Sequence, residues 1–143
     1  MNLSPHFTLE ELTASDTALR EGLDNTPAPD ALANLCRLSQ CLEQLRHKVG
    51  RPIRVSSAYR SAEVNRRVGG APGSAHTLGL AADIMVSDMP ARALAQQVID
   101  SGLAFDQLIL EFDRWVHLAL AEGAGRQQVL TVREGTGYLP GLQ

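Results

Sequence analysis

The stretch Ser74-Ala75-His76-Thr77-Leu78-Gly79-Leu80-Ala81-Ala82-Asp83 places a histidine and an aspartate among small residues, in a chain with only four histidines. A third candidate, His117, follows in Trp115-Val116-His117. The spacing from His76 to Asp83 excludes both regular elements as the carrier of a shared site. Seven residues of α-helix return to one face but rise roughly 10 Å, too far for one metal held by bonds of about 2 Å. In an unbroken strand the odd offset turns the two side chains to opposite faces. What remains is His76 on a turn, a sharp reversal at Gly79, and Asp83 on the strand that follows. Asp83 then shares a face with Ala81 and Met85, and small Ala81 leaves space beside it. Leu80, Ala82, Ile84 and Val86 face a core. With His117 from a separate strand, two neutral imidazoles and one carboxylate suit Zn2+ and leave a fourth position for water. The same residues also read as a loop histidine, a cap aspartate and a half-buried strand histidine, and spacing alone does not separate the two readings.

At 143 residues the chain is long enough for its own core. One domain over 1–143 is expected, with 1–30 a helical and loop segment packing on it. A net charge of −3 gives no support for nucleic-acid binding, which needs a clustered basic surface. Cys36 and Cys41 are five apart in a helical stretch, which turns them away from one another and disfavours a disulfide between them. Met1 to His6 shows neither a basic nor an apolar leader region, and no apolar run approaches a membrane span. The expectation is a monomer that is cytoplasmic at synthesis, with no membrane insertion.

Thr8-Leu9-Glu10-Glu11 fits a capping box opening a short helix. The Pro27- and Pro29-containing segment before Asp30 reads as a loop. Leu32, Leu35, Leu38, Leu42, Leu45 and Val49 make one apolar stripe, so Ala31 to Val49 is the clearest helix, ended by Gly50 and Pro52. Pro52 to Ser57 reads as a short strand, and Ser61 caps a modest helix to about Val68. Gly69-Gly70-Ala71-Pro72-Gly73 forces a loop. Leu80 to Val86 is a strand, Pro90 to Ile99 a helix, and Gln107–Phe112, Trp115–Leu120 and Gln128–Val132 are strands. The Gly-rich tail reads as irregular. Helices first, then strands mixed with helices, favour α+β with a small, mostly antiparallel sheet over a doubly wound fold.

Ser74-x-His76-x-x-Gly79-x-Ala81-x-Asp83, with the later Trp115-Val116-His117, resembles the zinc peptidases of the M15 family. These include D-alanyl-D-alanine carboxypeptidases and phage L-alanyl-D-glutamate endopeptidases. Val55-Ser56-Ser57-Ala58-Tyr59-Arg60-Ser61 resembles the family's substrate-side segment, and the likeness runs from about Phe7 to Leu120. It implies a hedgehog/DD-peptidase-like fold and zinc ligated by His76, Asp83 and His117. It also implies Arg60 on the substrate and developing oxyanion, and Ser74 on the substrate side. The substrates implied are peptidoglycan stem peptides, for a phage or prophage endolysin or a related wall enzyme that acts on the cell wall after release. A non-catalytic zinc-containing binding module on the same fold, as in hedgehog signalling domains, is the alternative.

Hydrolysis also needs a group to move the proton of water to the leaving amine. Many relatives carry this acid a few residues before the last histidine, but here the position three before His117 is Arg114. Glu111 and Asp113 are the candidates. A two-residue turn at Asp113-Arg114 pairs Leu110 with His117 and sends Glu111 to the opposite face. A three-residue loop, Phe112 to Arg114, pairs Glu111 with Trp115 and Ile109 with His117, and sets Glu111 on the face of His117. A catalytic Glu111 requires that second register, with Asp113 as the alternative base. Trp115 reads either as lining the cleft or, the more common use, as core packing beside the sheet.

Overall fold

A computed structural model describes the chain from Met1 to Gln143. A short hairpin of β1 (Asn2–Ser4) and β2 (Phe7–Thr8) leads into α1 (Leu9–Leu12) and α2 (Asp16–Glu21). Both helices start on a side-chain cap: Thr8 and Ser15 accept from the N–H groups of Glu11 and Ala18, each at 3.1 Å. The hairpin is too short for a period-two pattern to announce it. The long helix α3 runs Pro29–Val49, starting before the expected Ala31 because proline suits the first turn, where its missing N–H costs nothing. Gly50 closes it at φ 75°, in the left-handed region that a helix C-terminus favours. Its stripe of Leu35, Leu38, Leu42 and Leu45 is fully buried.

The remaining elements alternate. They are β3 (Arg54–Ser57), α4 (Ala62–Arg67), a single 3-10 turn (Ala75–Leu78), β4 (Ala81–Met85), α5 (Ala91–Asp100), β5 (Gln107–Glu111), β6 (Trp115–Ala119), β7 (Gln128–Arg133) and β8 (Gly137–Pro140). Six strands form one sheet in the order β3-β4-β6-β5-β7-β8. Every neighbouring pair is antiparallel except β5–β7, which is parallel. The architecture is the expected α+β with a mostly antiparallel sheet. The tail departs from expectation. Gly137 to Pro140 is not irregular but adds an edge strand, with Val132 opposite Tyr138 and Thr131 opposite Leu139.

The sheet has two unlike faces because residues alternate along each strand. Ile84, Leu108, Leu110, Val116 and Leu118 point to the helix side and are fully buried. They share one apolar cluster with the α3 leucines, with Leu94 and Val98 of α5, and with Phe7 and Leu12 from the N-terminal segment. The opposite face carries Asp83, Ile109, Glu111, Trp115 and His117, in the register Asp83 opposite His117, His117 opposite Ile109, and Glu111 opposite Trp115. Paired residues across a ladder project to one face, so the ionisable groups are brought together by register alone. Cys36 and Cys41 are both free thiols. No helix is long and apolar enough to cross a membrane.

Gly79 links the 3-10 turn to the sheet and is constrained twice. Its φ is +75°, and a Cβ there would lie 2.5 Å from the Ala31 carbonyl oxygen at the start of α3. A side chain would therefore meet both backbone strain and rigid backbone. Gly79→Ala is expected to destabilise the protein by roughly 1–3 kcal/mol, read as a lower urea midpoint at unchanged slope.

Candidate metal centre and cleft

His76 sits in the 3-10 turn, capped by Ser74, whose hydroxyl oxygen accepts from the His76 N–H at 3.3 Å. The ring is 2% exposed, and its Nδ1 lies 2.7 Å from the Ala58 carbonyl oxygen. A carbonyl only accepts, so Nδ1 carries the proton, and in the neutral ring Nε2 carries the lone pair. That Nε2 faces Asp83 Oδ1 at 3.3 Å, and His117 Nδ1 faces the same oxygen at 3.2 Å. The two imidazoles are tilted by 60° with centroids 5.0 Å apart.

One donor atom from each of the three residues lies within 4.8 Å of the others. Tetrahedral coordination at bonds of about 2.0–2.1 Å places neighbouring ligand atoms roughly 3.3 Å apart. The two contacts to Asp83 match that separation. A neutral His76 turns a lone pair toward a carboxylate, an arrangement that only a proton or a cation between them relieves. Burial pushes the Asp83 carboxyl up, but hydrogen bonding and charge from His117 and His76 outweigh it and hold the group well below the usual carboxylate range. The donor set and its spacing therefore fit a metal ion.

The Ala58–Arg60 segment is held against this centre from two sides. The Arg60 N–H donates to the His76 carbonyl at 3.2 Å, and the Tyr59 N–H to the Leu12 carbonyl at 2.9 Å. Asn25 bridges the same segment. Its amide donates to the carbonyls of Thr13 (2.7 Å) and Tyr59 (3.2 Å), while its oxygen accepts from the Ser61 N–H at 2.7 Å. The N-terminal segment thus braces the backbone that presents Arg60. Burial lowers the Arg60 guanidinium from its ordinary value, while the charges of Asp83 and Glu111 act to raise it. Its Nε is buried without a partner. Sequence reasoning passed over Asn25, because an asparagine in a turn just before two prolines has an ordinary local explanation.

The β5–β6 loop has three residues, Phe112 to Arg114, in the register that sets Glu111 beside His117. Glu111 Oε2 lies 4.0 Å from His117 Nδ1. Burial pushes the Glu111 carboxyl up, and the Asp83 charge adds to that, while His117 and a hydrogen bond from Trp115 act against it. Asp113 points elsewhere. Its carboxylate takes a bidentate pair from Arg133, at 2.8 and 3.0 Å, and it does not border the cleft. Trp115 is not core packing: it is partly exposed on the cleft face, and its indole N–H donates to Glu111 Oε2 at 3.1 Å.

These groups open on a cleft of about 950 Å³ that also takes in Ser74 and the Gly69–Gly73 loop on one side and Tyr138 of β8 on the other. Of the large apolar side chains left exposed, Val68, Leu78, Phe112 and Tyr138 all border it. Contiguous exposed apolar surface marks a binding groove more often than chance.

Residues 5–119 match the sequence profile of the family described as Peptidase M15. The chain belongs to the Peptidase M15 family. It is also similar to a zinc D-Ala-D-Ala carboxypeptidase of Streptomyces albus G, 35% identical over 98 residues. That alignment covers 68% of this chain and 38% of the relative, so the chain spans well under half of the curated relative's length. The family match takes in His76, Asp83, Glu111 and His117 and ends at the last residue of β6, so in this M15 chain β7, β8 and Tyr138 lie beyond it.

A metal held by these three side chains has a simple signature. The wild-type protein is expected to bind one equivalent of zinc, and His117→Ala to bind it at least ~10-fold more weakly, both read by calorimetry. The affinity is expected to fall as pH is lowered, because protons compete for the imidazole nitrogens and the carboxylate. Saturating metal at about 100 times its Kd raises stability by about 2.7 kcal/mol, visible as a higher Tm that chelation reverses.

Proposed function

We propose that this M15 chain is a zinc peptidase that hydrolyses a peptide bond in bacterial peptidoglycan stem peptides, with His76, Asp83 and His117 as the zinc ligands. The observation that carries the reading is the placement of Glu111, a half-buried carboxylate 4.0 Å from a ligand histidine on the open face of the sheet. Bound there, zinc would supply Lewis acidity, polarising the scissile carbonyl and bringing the pKa of water toward neutrality.

Glu111 takes a proton from the attacking water as its oxygen bonds to the carbonyl carbon. It then delivers a proton to the amide nitrogen as the C–N bond breaks. A carboxyl pushed up by burial suits this double duty, because the best shuttle titrates near the working pH. Arg60 offers guanidinium donors to the negative charge that gathers on the carbonyl oxygen, or to a substrate carboxylate. The other arginine bordering the cleft, Arg126, is engaged: it holds Asp106 through Nε at 3.0 Å and a terminal nitrogen at 2.9 Å. That leaves Arg60 as the cation for substrate. Ser74 serves the site by capping the His76 turn and lines the substrate side beside it.

The same chemistry serves a D-Ala-D-Ala carboxypeptidase and an L-Ala-D-Glu endopeptidase, and a phage or prophage endolysin is one setting in which it would act on the wall. The rival, a zinc-holding binding module, has no use for a shuttle carboxylate beside the metal ligands, and Glu111 therefore favours the enzyme. The test is digestion of purified peptidoglycan with mass analysis of the released fragments. Glu111→Ala is expected to lose about 10²–10⁴-fold in rate while keeping its zinc, and His117→Ala to lose both. Equal release by wild type and both variants would overturn the assignment, and the fragments identify the bond.

A further inference from the structure

We propose that Trp115 is the positioning residue for Glu111, fixing which carboxylate oxygen handles the proton. This rests on Glu111 being the proton shuttle. Trp115 stands directly opposite Glu111 across β5–β6, so both side chains rise from the cleft face of the sheet. The indole N–H reaches Glu111 Oε2 at 3.1 Å, and that oxygen is also the one 4.0 Å from His117 Nδ1. An indole N–H donates and never accepts, and the unprotonated oxygen of a carboxyl is a better acceptor for it than the hydroxyl oxygen. Oε2 is thereby held as an acceptor, and a proton on the carboxyl is directed to Oε1. Without that contact the terminal carboxyl torsion is broad and nearly two-fold, and the two oxygens exchange roles freely.

The indole is itself held in place. It meets the Phe112 ring at a centroid distance of 5.8 Å and a tilt of 51°. Phe112 and Asp113 both take φ of 56°, and the Arg114 N–H returns to the Glu111 carbonyl at 3.0 Å. Positive φ at both central residues is the signature of a type I′ turn, usually filled by Asn-Gly or Asp-Gly. A bulky residue such as phenylalanine is uncommon there and must be held by its surroundings. The Phe112 N–H bonds the Val132 carbonyl at 2.9 Å, and the Arg133 guanidinium grips Asp113. Strand β7 therefore holds the turn, the turn presents Phe112, Phe112 seats Trp115, and Trp115 orients the carboxylate. This is the logic of a base held by a third group.

Trp115→Phe keeps the aromatic packing and removes only the N–H. With zinc content unchanged, kcat on a stem peptide is expected to fall about tenfold and KM to stay within about twofold, because orientation of the shuttle is lost and binding is not. A second measurement does not depend on turnover. Trp115 is the only tryptophan, so the protein shows one indole N–H resonance. In the zinc-loaded protein that proton is expected downfield and slow to exchange, and in Glu111→Ala it moves upfield and exchanges faster. An unchanged kcat in Trp115→Phe, a loss of zinc along with the rate, or an indole resonance indifferent to Glu111→Ala each overturns the proposal. The two readings separate cleanly. Full activity in Glu111→Ala defeats the catalytic assignment, whereas full activity in Trp115→Phe beside a dead Glu111→Ala defeats the positioning role alone.

Discussion

A carbonyl oxygen can only accept, so the 2.7 Å contact between Ala58 and His76 Nδ1 leaves the other ring nitrogen as a lone-pair donor aimed at Asp83. Much of the remaining structure serves that contact. Ala58 follows β3, which pairs with β4, and β4 carries Asp83, so one strand pair sets both the histidine's orientation and its partner. The turn bearing His76 fits against α3 only because Gly79 has no side chain to strike the Ala31 carbonyl. A buried imidazole facing a buried carboxylate is costly unless a positive charge lies between them. The fold thus stores an electrostatic demand at the floor of its cleft.

That demand separates the two halves of the sheet. On the β4 and β6 side Asp83 and His117 meet His76, whose buried ring is held by the Ala58 carbonyl. At the β5–β6 turn Glu111 and Trp115 are partly buried, and they depend on a turn with positive φ at Phe112 and Asp113 that β7 steadies. The division suits the chemistry. Metal ligands need a rigid, desolvated cage, whereas a proton shuttle must stay in reach of water and substrate. The N-terminal segment has a comparable supporting part, since Asn25 and the Leu12 carbonyl brace the backbone around Arg60.

Much of this was legible in the residues. The apolar stripe of α3, the alternation in β4 and β6, and the impossibility of joining His76 to Asp83 through a regular element all follow from periodicity and bond lengths. The M15 resemblance suggested Arg60 for the substrate side, whereas Glu111 was reached through the register of the hairpin, where this chain departs from the family pattern. Less visible were the two hairpins at the ends of the chain. β1–β2 is too short to show alternation, and β8 is a four-residue strand that begins at Gly137 and ends at Pro140, two residues that usually signal turns, and it is held by pairing with β7. Asn25 was also hidden, since its partners at Thr13, Tyr59 and Ser61 are distant in sequence.

By itself the sequence determined that His76 and Asp83 can share a site only across a backbone reversal at Gly79, because helix rise and strand alternation leave no other geometry; the proposed ligand set came from the M15 resemblance. For the proton shuttle it favoured Glu111 over Asp113, on the condition that the β5–β6 loop has three residues. Only the tertiary structure shows that Glu111, and not Asp113, stands beside His117. A one-residue change in loop length reverses every side chain that follows in a strand, and this turn carries none of the glycines that would have announced its shape. The turn in that register is bonded at Phe112 and Asp113 by β7, a strand that comes later in the chain and lies beyond the family match. The position of Trp115 over Glu111 follows from that register, and no local signal could have shown it.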